Sequence, residues 1–580
     1  MMHLMKRDNI NMRFCIIGAG FSGTAALYHF VRDLSSSSLI NVEIFIVEQQ
    51  SICGPGYPYA PSNLLPSHLC NNQAKSMSLC DLDFLDWMRD SRKLIVKNYP
   101  HYILETHPNI ELNDWYPDSE AFYPRALFGI YLIDRFKETV KKAKQLGILV
   151  KVLNNCQAID ASLYGEKIDI KIFDHSTQDH ILIDNIDKLL VTTGHWVPNK
   201  SNNVFEESTY LPSPYPFTNL FDHIKVLTGS KAGNKKNIFV RGMGPSGIDA
   251  VMTLADQGDF IYSEGGHIIR YKPSSTNENL EIIAGSRSGF FPAVRGIELD
   301  YDFKYLTTDS FAELERVHGK TLGLRDIIYF IDKEIRAATS DLSWSDIIDP
   351  KFDNAYEKLK YDISNPDDNN LIHKIFLKVR RMKFYRHLNE KDKEIYDKEY
   401  DSYFIRIAVP IPLSNAEKLI ALIESKKLST ISMGYKKEQN IHREKDGYKV
   451  FYDDNQEERS IIVSSIVDAS GQNFQLTYHP SCLIQSLLKK GKLVPNKEGC
   501  YQTGGIMLDS NDSYRAMQQS KDRNSFLVSS HIYSFGILTR YWQNERNFSD
   551  AIVSAAKWIS QEWVDLHKDN VNSNLEKRRV

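Results

Sequence analysis

Two glycine-rich turns constrain the fold of this chain more than any other feature of its 580 residues. In the first turn, Gly18, Gly20 and Gly23 form a G-x-G-x-x-G motif between a short apolar run and a segment whose apolar residues recur at helical spacing. The first glycine permits a tight turn, the second lets the backbone approach a pyrophosphate, and the third lets the helix pack on the strand. The motif predicts a dinucleotide site, with Phe21 and Ser22 at the helix start beside the phosphates.

An acidic residue ends the next apolar segment. Residues 42–48 (Val-Glu-Ile-Phe-Ile-Val-Glu) predict a second buried strand, so the chain opens with a βαβ unit. At the end of that strand, the Glu48 carboxylate can accept hydrogen bonds from ribose hydroxyls, and a charged acceptor there is worth roughly 1.5 to 3 kcal/mol. The alternative is a compact turn without a ligand, which the combination of strand, helix and acid disfavours.

The glycine motif recurs at Gly242, Gly244 and Gly247, again between a predicted strand and a predicted helix. Pro245 and Ser246 lie within this second turn and are further candidate cofactor contacts. Two such turns at domain spacing are typical of a two-domain flavoprotein. We therefore expect FAD at the first turn and a nicotinamide dinucleotide at the second.

The second unit has no acid where Glu48 stands in the first. Ser286 and Arg287 end its partner strand, and this pair can hold a ribose phosphate through charge-assisted hydrogen bonds. This favours NADPH over NADH. The alternative is an exposed arginine that only solvates the strand end.

Two further turns follow apolar strands, on either side of the second unit. They are residues 192–194 (Thr-Thr-Gly) and 468–471 (Asp-Ala-Ser-Gly), and in each the glycine lets the backbone turn closely past a cofactor. Thr193 and Gly194 are therefore candidate cofactor contacts. Plain strand-to-loop turns are the alternative.

The order of these segments predicts an α/β fold. We expect two Rossmann-like dinucleotide-binding domains of the three-layer β/β/α type, with a helical insertion. The predicted FAD-binding domain covers residues 1–235, and the predicted NADPH-binding domain covers 236–470. The charged insertion occupies about 300–400, and residues 471–580 return to the first domain and end in a helix.

Composition excludes several other classes of protein. With 71 basic and 74 acidic side chains, the net charge of -3 gives no overall field that would attract nucleic acid or an anionic membrane. No run of about 18 apolar residues is present, so no segment is predicted to span a bilayer. The seven cysteines are scattered and contain no C-x-x-C pair, which favours free thiols in the cytoplasm and disfavours a disulfide reductase.

Other catalytic motifs are missing from the sequence. His68, His195 and His531 stand alone, without metal-ligand spacing, so we expect hydrogen-bonded or solvated side chains and no metal site. The sequence contains neither a G-x-S-x-G elbow nor a P-loop, which leaves hydrolase and kinase functions without support.

Several longer blocks resemble a known family, the class B-type FAD/NAD(P)-binding proteins, whose characterised relatives resemble amino-acid N-hydroxylating flavin monooxygenases. The resemblance covers nearly the whole chain, except that residues 542–547 (Trp-Gln-Asn-Glu-Arg-Asn) depart from the usual continuation of the last block. The blocks are residues 54–59 (Gly-Pro-Gly-Tyr-Pro-Tyr), 68–71 (His-Leu-Cys-Asn), 77–78 (Met-Ser), 84–87 (Phe-Leu-Asp-Trp), 123–131, 285–292 and 536–542.

The resemblance also implies roles for individual residues. The stretch that wraps the flavin in this family matches Asn71, Met77 and Ser78, which we expect near the flavin ring. In the last block, Gly536 and Thr539 are further candidate contacts. Arg125 and Arg540 stand within two of the blocks, and each can hold a phosphate, hold a substrate carboxylate or form an ordinary ion pair.

Three functions are compatible with these features. In the first, NADPH reduces FAD, molecular oxygen adds to the reduced flavin, and the flavin hydroperoxide passes one oxygen to a small amine or amino acid. In the second, an NADPH-dependent flavin reductase or dehydrogenase passes electrons on without inserting oxygen. In the third, which is the least favoured, FAD and NADPH set the conformation of a non-catalytic sensor whose insertion binds a partner.

Overall fold

The computed structural model describes residues 12–37, 41–196, 209–229, 236–275, 278–318, 323–339, 341–434, 440–454, 457–510, 513–539 and 549–579. Strands β1 to β21 are, in chain order, Met12–Ile17, Val42–Val47, Leu149–Leu153, Cys156–Tyr164, Lys167–Asp174, His180–Ile186, Lys188–Val191, Tyr210–Leu211, Lys236–Arg241, Asp259–Tyr262, Ile268–Lys272, Leu280–Ser286, Leu428–Ser432, Ile441–Glu444, Gly447–Asp454, Glu457–Val463, Ser465–Asp468, Pro495–Glu498, Tyr501–Ile506, Arg515–Gln519 and Phe526–Ser534.

Helices α1 to α19 are, in chain order, Phe21–Ser37, Gly56–Tyr59, Asp83–Asp90, Arg92–Asn98, Pro100–Thr106, Arg125–Gln145, Phe217–Gly229, Pro245–Ala255, Thr308–His318, Leu324–Ala338, Trp344–Ile348, Ala355–Ser364, Pro366–Arg381, Phe384–His387, Glu390–Ile395, Asp401–Ala408, Leu413–Glu424, Cys482–Lys489 and Ser549–Arg579. A π-helical turn, Tyr396–Tyr400, joins α15 to α16. Short 3₁₀ turns cover Pro61–Asn63, Ala74–Ser76, Leu476–Tyr478 and Gly536–Leu538.

The first sheet has the order β3-β2-β1-β7-β21-β20, and only the edge pair β20 and β21 is antiparallel. Strand β1 consists almost entirely of apolar residues because it is covered on both faces. Helices α1, α6 and α19 pack together on one side of the sheet, and the antiparallel sheet β4-β5-β6 contacts β1, β2 and β7. This is the predicted three-layer arrangement.

The C-terminal helix belongs to this first core. Trp563 on α19 packs against Phe14 of β1 and Phe30 of α1, with ring centroids 4.9 and 5.3 Å apart. All three side chains are buried, and burial of each is worth about 1.5 to 3 kcal/mol. Helix α19 therefore packs in the same core as β1 and α1.

The second sheet repeats the parallel order around the second glycine motif. Strand β9 lies between β12 and β17, with β13 beyond β12 and β8 beyond β17. Strands β14, β15 and β16 extend it as an antiparallel group. The chain enters this sheet at Tyr210, and Leu220 of α7 lies in its core, so the second unit begins upstream of the boundary predicted near residue 235.

The predicted helical insertion lies between β12 and β13. The helices from α9 to α16, apart from α12, enclose a separate apolar core that includes Phe376, Phe384, Tyr396 and Phe404. Ala355 and Leu359 of α12 lie instead in the core of the second sheet. Glu334, fully buried, accepts hydrogen bonds from the Tyr301 hydroxyl and from three backbone N–H groups before α9. Within the described ranges, no helix is both long and apolar enough to cross a membrane.

Candidate functional site

A cavity of about 920 Å³ lies where β1, β2 and β7 end. This is the point at which the strand order of the first sheet reverses, with β2 on one side of β1 and β7 on the other, and ligands of open α/β sheets bind at such points. Of the residues predicted from sequence, those that line the cavity are Gly18, Gly20, Phe21, Ser22, Glu48, Asn71, Met77, Arg125, Thr193, Gly194, Pro245 and Gly536.

Close packing explains the glycines of the first turn. Gly18 has φ +94°, and a Cβ atom there would lie 2.3 Å from the carbonyl oxygen of Thr192. A Cβ at Gly23 would lie 2.0 Å from the oxygen of Gly18, so Gly23 serves the contact between helix and strand and does not line the cavity. Gly20 lines the cavity itself, as the motif predicts.

Glu48 is buried at the cavity wall with both carboxylate oxygens oriented by the backbone. One oxygen accepts the Ala19 N–H at 2.7 Å and the other accepts the Gln50 N–H at 2.9 Å. Burial raises the pKa of Glu48, and the backbone N–H groups oppose that rise. Each oxygen keeps a second lone pair for a ligand hydroxyl, so the side chain is held in place as a hydrogen-bond acceptor.

The stretch around residue 71 has both lining and supporting residues. Asn71 and Met77 line the cavity, whereas the Ser78 hydroxyl accepts the Phe84 N–H at 3.1 Å and supports the start of α3. The carbonyl oxygen of Asn71 accepts a hydrogen bond from Nη2 of Arg295 at 2.9 Å. Ser78 is therefore placed behind the cavity wall and not in it, unlike the contact predicted near the flavin ring.

Arg125 begins α6 and forms the ordinary ion pair that the sequence left open. Its Nη2 donates to Asp249 Oδ2 on α8, and the Tyr215 hydroxyl donates to the same oxygen. Burial alone would lower the pKa of Arg125, but Asp249 and Tyr215 raise it. Burial likewise opposes ionisation of Asp249, and Arg125 with His68 holds its pKa below the usual value. Arg540 lies outside the described residues.

The second turn has the same glycine geometry as the first. Gly242 has φ +115°, and a Cβ there would lie 2.4 Å from the oxygen of Ala469, in the predicted 468–471 turn. A Cβ at Gly247 would lie 2.0 Å from the oxygen of Gly242, whereas nothing lies within 4 Å of a Cβ at Gly244. The backbone at Gly244 is therefore open to a ligand. Ser246 and these three glycines are not among the residues that line the cavity described above.

Ser286 and Arg287 end β12, which occupies the position beside β9 that β2 occupies beside β1. The Ser286 hydroxyl accepts the Gly289 N–H at 3.0 Å, so it supports the following turn. Nη1 of Arg287 donates to the Lys398 carbonyl oxygen of the insertion at 2.8 Å. Within the described ranges the guanidinium is thus oriented at the strand end by its hydrogen bond to that carbonyl, and no ion pair with a carboxylate is present.

The last predicted block contributes Gly536 and Ile537 to the cavity wall. Gly536 has φ +78° and stands close to Ser22, because a Cβ on Gly536 would lie 3.1 Å from the Ser22 hydroxyl. Thr539 is buried, and its hydroxyl donates to the Gly536 oxygen at 2.7 Å. Thr539 therefore supports the turn and does not line the cavity, contrary to the expected direct contact.

Three buried polar atoms lie around the cavity, and sequence reasoning identified only the one on Thr193. Thr193 Oγ1, Gln472 Nε2 and His479 Nε2 are buried and have no hydrogen-bond partner in the part of the chain that the structure describes. His479 Nδ1 accepts the Ser481 N–H at 3.0 Å, so Nε2 carries the proton. Burial lowers the pKa of His479 to about 4, which keeps it a neutral donor. Buried donors without partners are unfavourable, and a polar ligand in the cavity would satisfy them.

The insertion supplies another part of the wall that the sequence did not indicate. Ile405, Ala408 and Val409, at the end of α16, line the same cavity as Gly18 and Glu48. No sequence signal distinguishes a lone histidine in a short loop, such as His479, from an ordinary core histidine. The same is true of an apolar turn in an inserted helix. Only the tertiary structure shows that His479 and the end of α16 both lie at the cavity.

The three isolated histidines differ in their surroundings. His68 Nδ1 accepts the Leu65 N–H, and its Nε2 lies 3.0 Å from the Thr253 hydroxyl. Burial lowers its pKa to about 4. His531 lies 3.2 Å from the Asp187 oxygen. His195 lines the cavity and lies 2.9 Å from Oε1 of Gln472, so all three make hydrogen bonds.

The chain is similar to a curated protein sequence and to several solved structures. Over 488 residues the chain is 24% identical to the uncharacterized protein YdhS of Escherichia coli (strain K12), covering 79% of this chain and 83% of that protein. Among solved structures it is similar to the reduced ornithine hydroxylase of Pseudomonas aeruginosa, with 11% identity, a TM-score of 0.47 and coverage of 97% of this chain and 99% of that one. It is also similar to the L-lysine 6-monooxygenase of Pseudomonas syringae, with 14% identity, a TM-score of 0.47 and coverage of 96% and 99%.

A family model covers the first part of the chain. Residues 15–195 match the family described as FAD-NAD(P)-binding. The matched segment contains the first glycine motif, Glu48, Asn71, Arg125 and the turn at Thr193, and it supplies most of the residues that line the cavity. Residues 15–195 are therefore similar to this family over the segment in which the glycine motif and Glu48 predict a dinucleotide site.

Proposed function

We propose that the protein is an FAD-dependent, NADPH-using monooxygenase that acts on a small amine or amino acid. One observation carries the proposal: Pro245 of the second glycine turn lines the same cavity as Gly18, Gly20 and Glu48 of the first. Two dinucleotides bound at these turns would therefore meet in one cavity. Hydride transfer between a nicotinamide and a flavin requires such contact.

The residues at the first turn fit FAD. The N-terminus of α1 and the glycine turn would face the pyrophosphate, and Glu48 would accept the ribose hydroxyls. Thr193 and His479 supply buried donors that have no partner among the described residues. Asn71 and Met77, which the family resemblance places near the flavin ring, line the cavity, and so does Gly536.

The residues at the second turn fit NADPH. The open backbone at Gly244 allows close approach of a pyrophosphate, and α8 begins at Pro245 directly after it. Arg287 stands at the strand end where a ribose phosphate would lie, oriented by the Lys398 carbonyl. An arginine there supplies charge-assisted hydrogen bonds to the phosphate.

The insertion would separate the reaction from bulk water. When bound, the flavin accepts hydride and activates oxygen. Ile405, Ala408 and Val409 provide an apolar wall, and such a wall favours oxygen transfer to substrate over loss of oxidising equivalents to solvent. His479 provides a neutral hydrogen-bond donor throughout the physiological pH range, because its pKa lies at about 4.

Purified protein tests the proposal directly. We expect FAD absorbance, NADPH oxidation, and a rise in NADPH use without matching peroxide release when the correct amine or amino acid from a panel is added. Oxidation that is equal with every compound and gives no oxygenated product would instead identify a reductase. If NADPH does not reduce the bound flavin, only the third function, a non-catalytic sensor, remains compatible with the sequence.

Arg287→Ala tests the cofactor assignment. Loss of a charge-assisted bond to phosphate should weaken NADPH binding by about tenfold or more and change NADH binding little. The exposed Arg270→Ala in the same domain is the matched control, with unchanged affinity for both. Steady-state titrations with each dinucleotide measure the effect, and equal losses of NADPH and NADH affinity in Arg287→Ala would contradict the phosphate role.

A further inference from the structure

We propose that Asp249 is a positioning residue that holds α8, the helix of the second glycine turn, against the flavin cavity through Arg125. The inference rests on the proposed function and extends it to the relative placement of the two cofactors. Asp249 belongs to the second nucleotide fold and Arg125 to the first. Their ion pair is therefore a direct link between the two cofactor-binding units.

The link is buried on both sides. The Arg125 side chain is 15% exposed and the Asp249 side chain 8%. The Tyr215 hydroxyl donates to the same Asp249 oxygen, and the Tyr215 ring lies 5.9 Å from the guanidinium carbon. Removing the carboxylate charge would leave a buried guanidinium without its counter-ion, which is strongly unfavourable, so the pair resists separation of α8 from α6.

A second contact fixes the same face of α8. His68, whose oxygen accepts the Arg125 backbone N–H at 2.9 Å, lies 3.0 Å from the Thr253 hydroxyl one turn beyond Asp249. The Asp249 carbonyl oxygen also lies 3.2 Å from Nε2 of His68. The loop that leads to Asn71 and the first turn of α6 therefore both hold α8.

The position of Arg125 relates the pair to the reaction. Arg125 lines the cavity, and its Nε is buried with no hydrogen-bond partner among the residues that the structure describes, although Nη2 is paired with Asp249. Pro245, four residues before Asp249, lines the same cavity. Because one guanidinium contacts both the cavity and α8, movement of α8 would change the distance between a nicotinamide at the second turn and a flavin at the first.

The chain offers a matched control pair. Lys418 of α17 and Glu105 of α5 also form a buried ion pair between the two units, with side-chain exposures of 2% and 15%. Neither residue lines the cavity. If ion pairs between the units matter only for stability, then Glu105→Gln and Asp249→Asn should behave alike.

Rapid mixing of the FAD-loaded protein with NADPH distinguishes a positioning role of the Asp249–Arg125 pair from a role in stability alone. Asp249→Asn should lower the limiting rate of flavin reduction by about tenfold or more, with unchanged flavin content and unchanged reduction by dithionite. Tyr215→Phe, which keeps the ion pair but removes the hydroxyl bonded to the same Asp249 oxygen, should lower that rate by about fourfold, and Glu105→Gln should stay within about twofold of the original protein. Equal slowing in Asp249→Asn and Glu105→Gln, or a normal rate in Asp249→Asn, would overturn the inference.

Hydrogen exchange of the protein without cofactors gives a readout that does not depend on the reaction. Asp249→Asn should speed exchange in residues 245–255, whereas Glu105→Gln should speed exchange in α5 and α17. If Asp249→Asn does not fold, Tyr215→Phe decides by the same two measurements, and an unchanged reduction rate there overturns the inference. An original protein that NADPH does not reduce refutes the proposed function, while faster exchange confined to residues 245–255 in Asp249→Asn would still support the link.

Discussion

At the scale of single residues, the glycines of the G-x-G-x-x-G motif serve two different purposes. The first and third glycines of each motif are required by packing, since added Cβ atoms would lie 2.0 to 2.4 Å from backbone oxygens. The middle glycine of the second motif has open space in front of it. Structural and ligand-binding glycines can therefore be distinguished within one motif.

This difference predicts opposite behaviour for two alanine substitutions. Gly247→Ala should lower the free energy of unfolding by about 1 to 3 kcal/mol, because its methyl group collides with the Gly242 oxygen. Gly244→Ala should change stability by less than about 0.5 kcal/mol and weaken NADPH binding, because its methyl group enters the space for the pyrophosphate.

Urea unfolding and NADPH titration measure the two effects. Each variant serves as the control for the other, since both substitutions add one methyl group within four residues of the same turn. A Gly244→Ala protein as unstable as Gly247→Ala would show that both glycines are structural.

At the scale of elements, the helical insertion has a role that its sequence did not reveal. Lys393 of α15 pairs with Glu498 of β18, and the Cys500 N–H donates to Glu390 at 2.9 Å. The insertion therefore contacts the C-terminal hairpin β18-β19 as well as the domain from which it emerges. Helix α15 makes these contacts, and the end of α16, which follows it in the insertion, lines the cavity.

Introducing a charge at this wall should expose the flavin. Ile405→Asp should increase quenching of flavin fluorescence by acrylamide by about twofold, because a charged side chain admits water into the cavity. Ile405 is 37% exposed, so the protein should still fold.

Val317→Asp is the matched control for this experiment. Val317 is an exposed apolar residue of another insertion helix, α9, and does not line the cavity. We expect its quenching constant to equal that of the original protein. An equal rise in both variants would mean that the wall at Ile405 does not shield the flavin.

At the scale of the whole molecule, four buried histidines make stability depend on pH. Burial lowers the pKa of His29, His68 and His479 to about 4 and that of His373 to about 3. His373 is held neutral between elements, because its Nε2 accepts from Arg295 and its Nδ1 faces the Ile407 oxygen at 3.4 Å. Protonation would place two cations in contact.

The direction of the effect follows from these pKa values. Between about pH 6.5 and pH 4 the unfolded chain binds more protons than the folded one, so stability falls as the pH falls. Each histidine contributes up to about 1.4 kcal/mol per pH unit in this window. Urea unfolding at several pH values measures the slope, and above about pH 6.5 these groups should have no further effect.

His373→Gln isolates one of the four contributions. Glutamine keeps an acceptor for Arg295 but does not titrate, so the slope should decrease by about 1.4 kcal/mol per pH unit. His180→Gln, at an exposed position of β6, is the control and should leave the slope unchanged. A slope that His373→Gln does not alter would contradict the neutral state assigned to His373.

Local sequence by itself determined the two βαβ units, the acid at Glu48 and the inserted helices. The reason is that the patterns of strand, turn and helix are each contained within about 30 consecutive residues. It predicted FAD-NAD(P) binding, which the family match confirms for residues 15–195. The sequence pattern placed the start of the second unit near residue 235. In the structure, β8 already belongs to the second sheet because it pairs with β17, which lies far along the chain.

Only the tertiary structure decided which of these residues share a surface. Ser78 and Thr539 proved to support turns, Arg125 proved to pair with Asp249, and His479 joined the cavity wall. The physical reason is that burial, orphaned donors and ion pairs are properties of contacts between distant segments. The type of a side chain determines which hydrogen bonds and ion pairs it can form, whereas the fold determines which partner lies within reach.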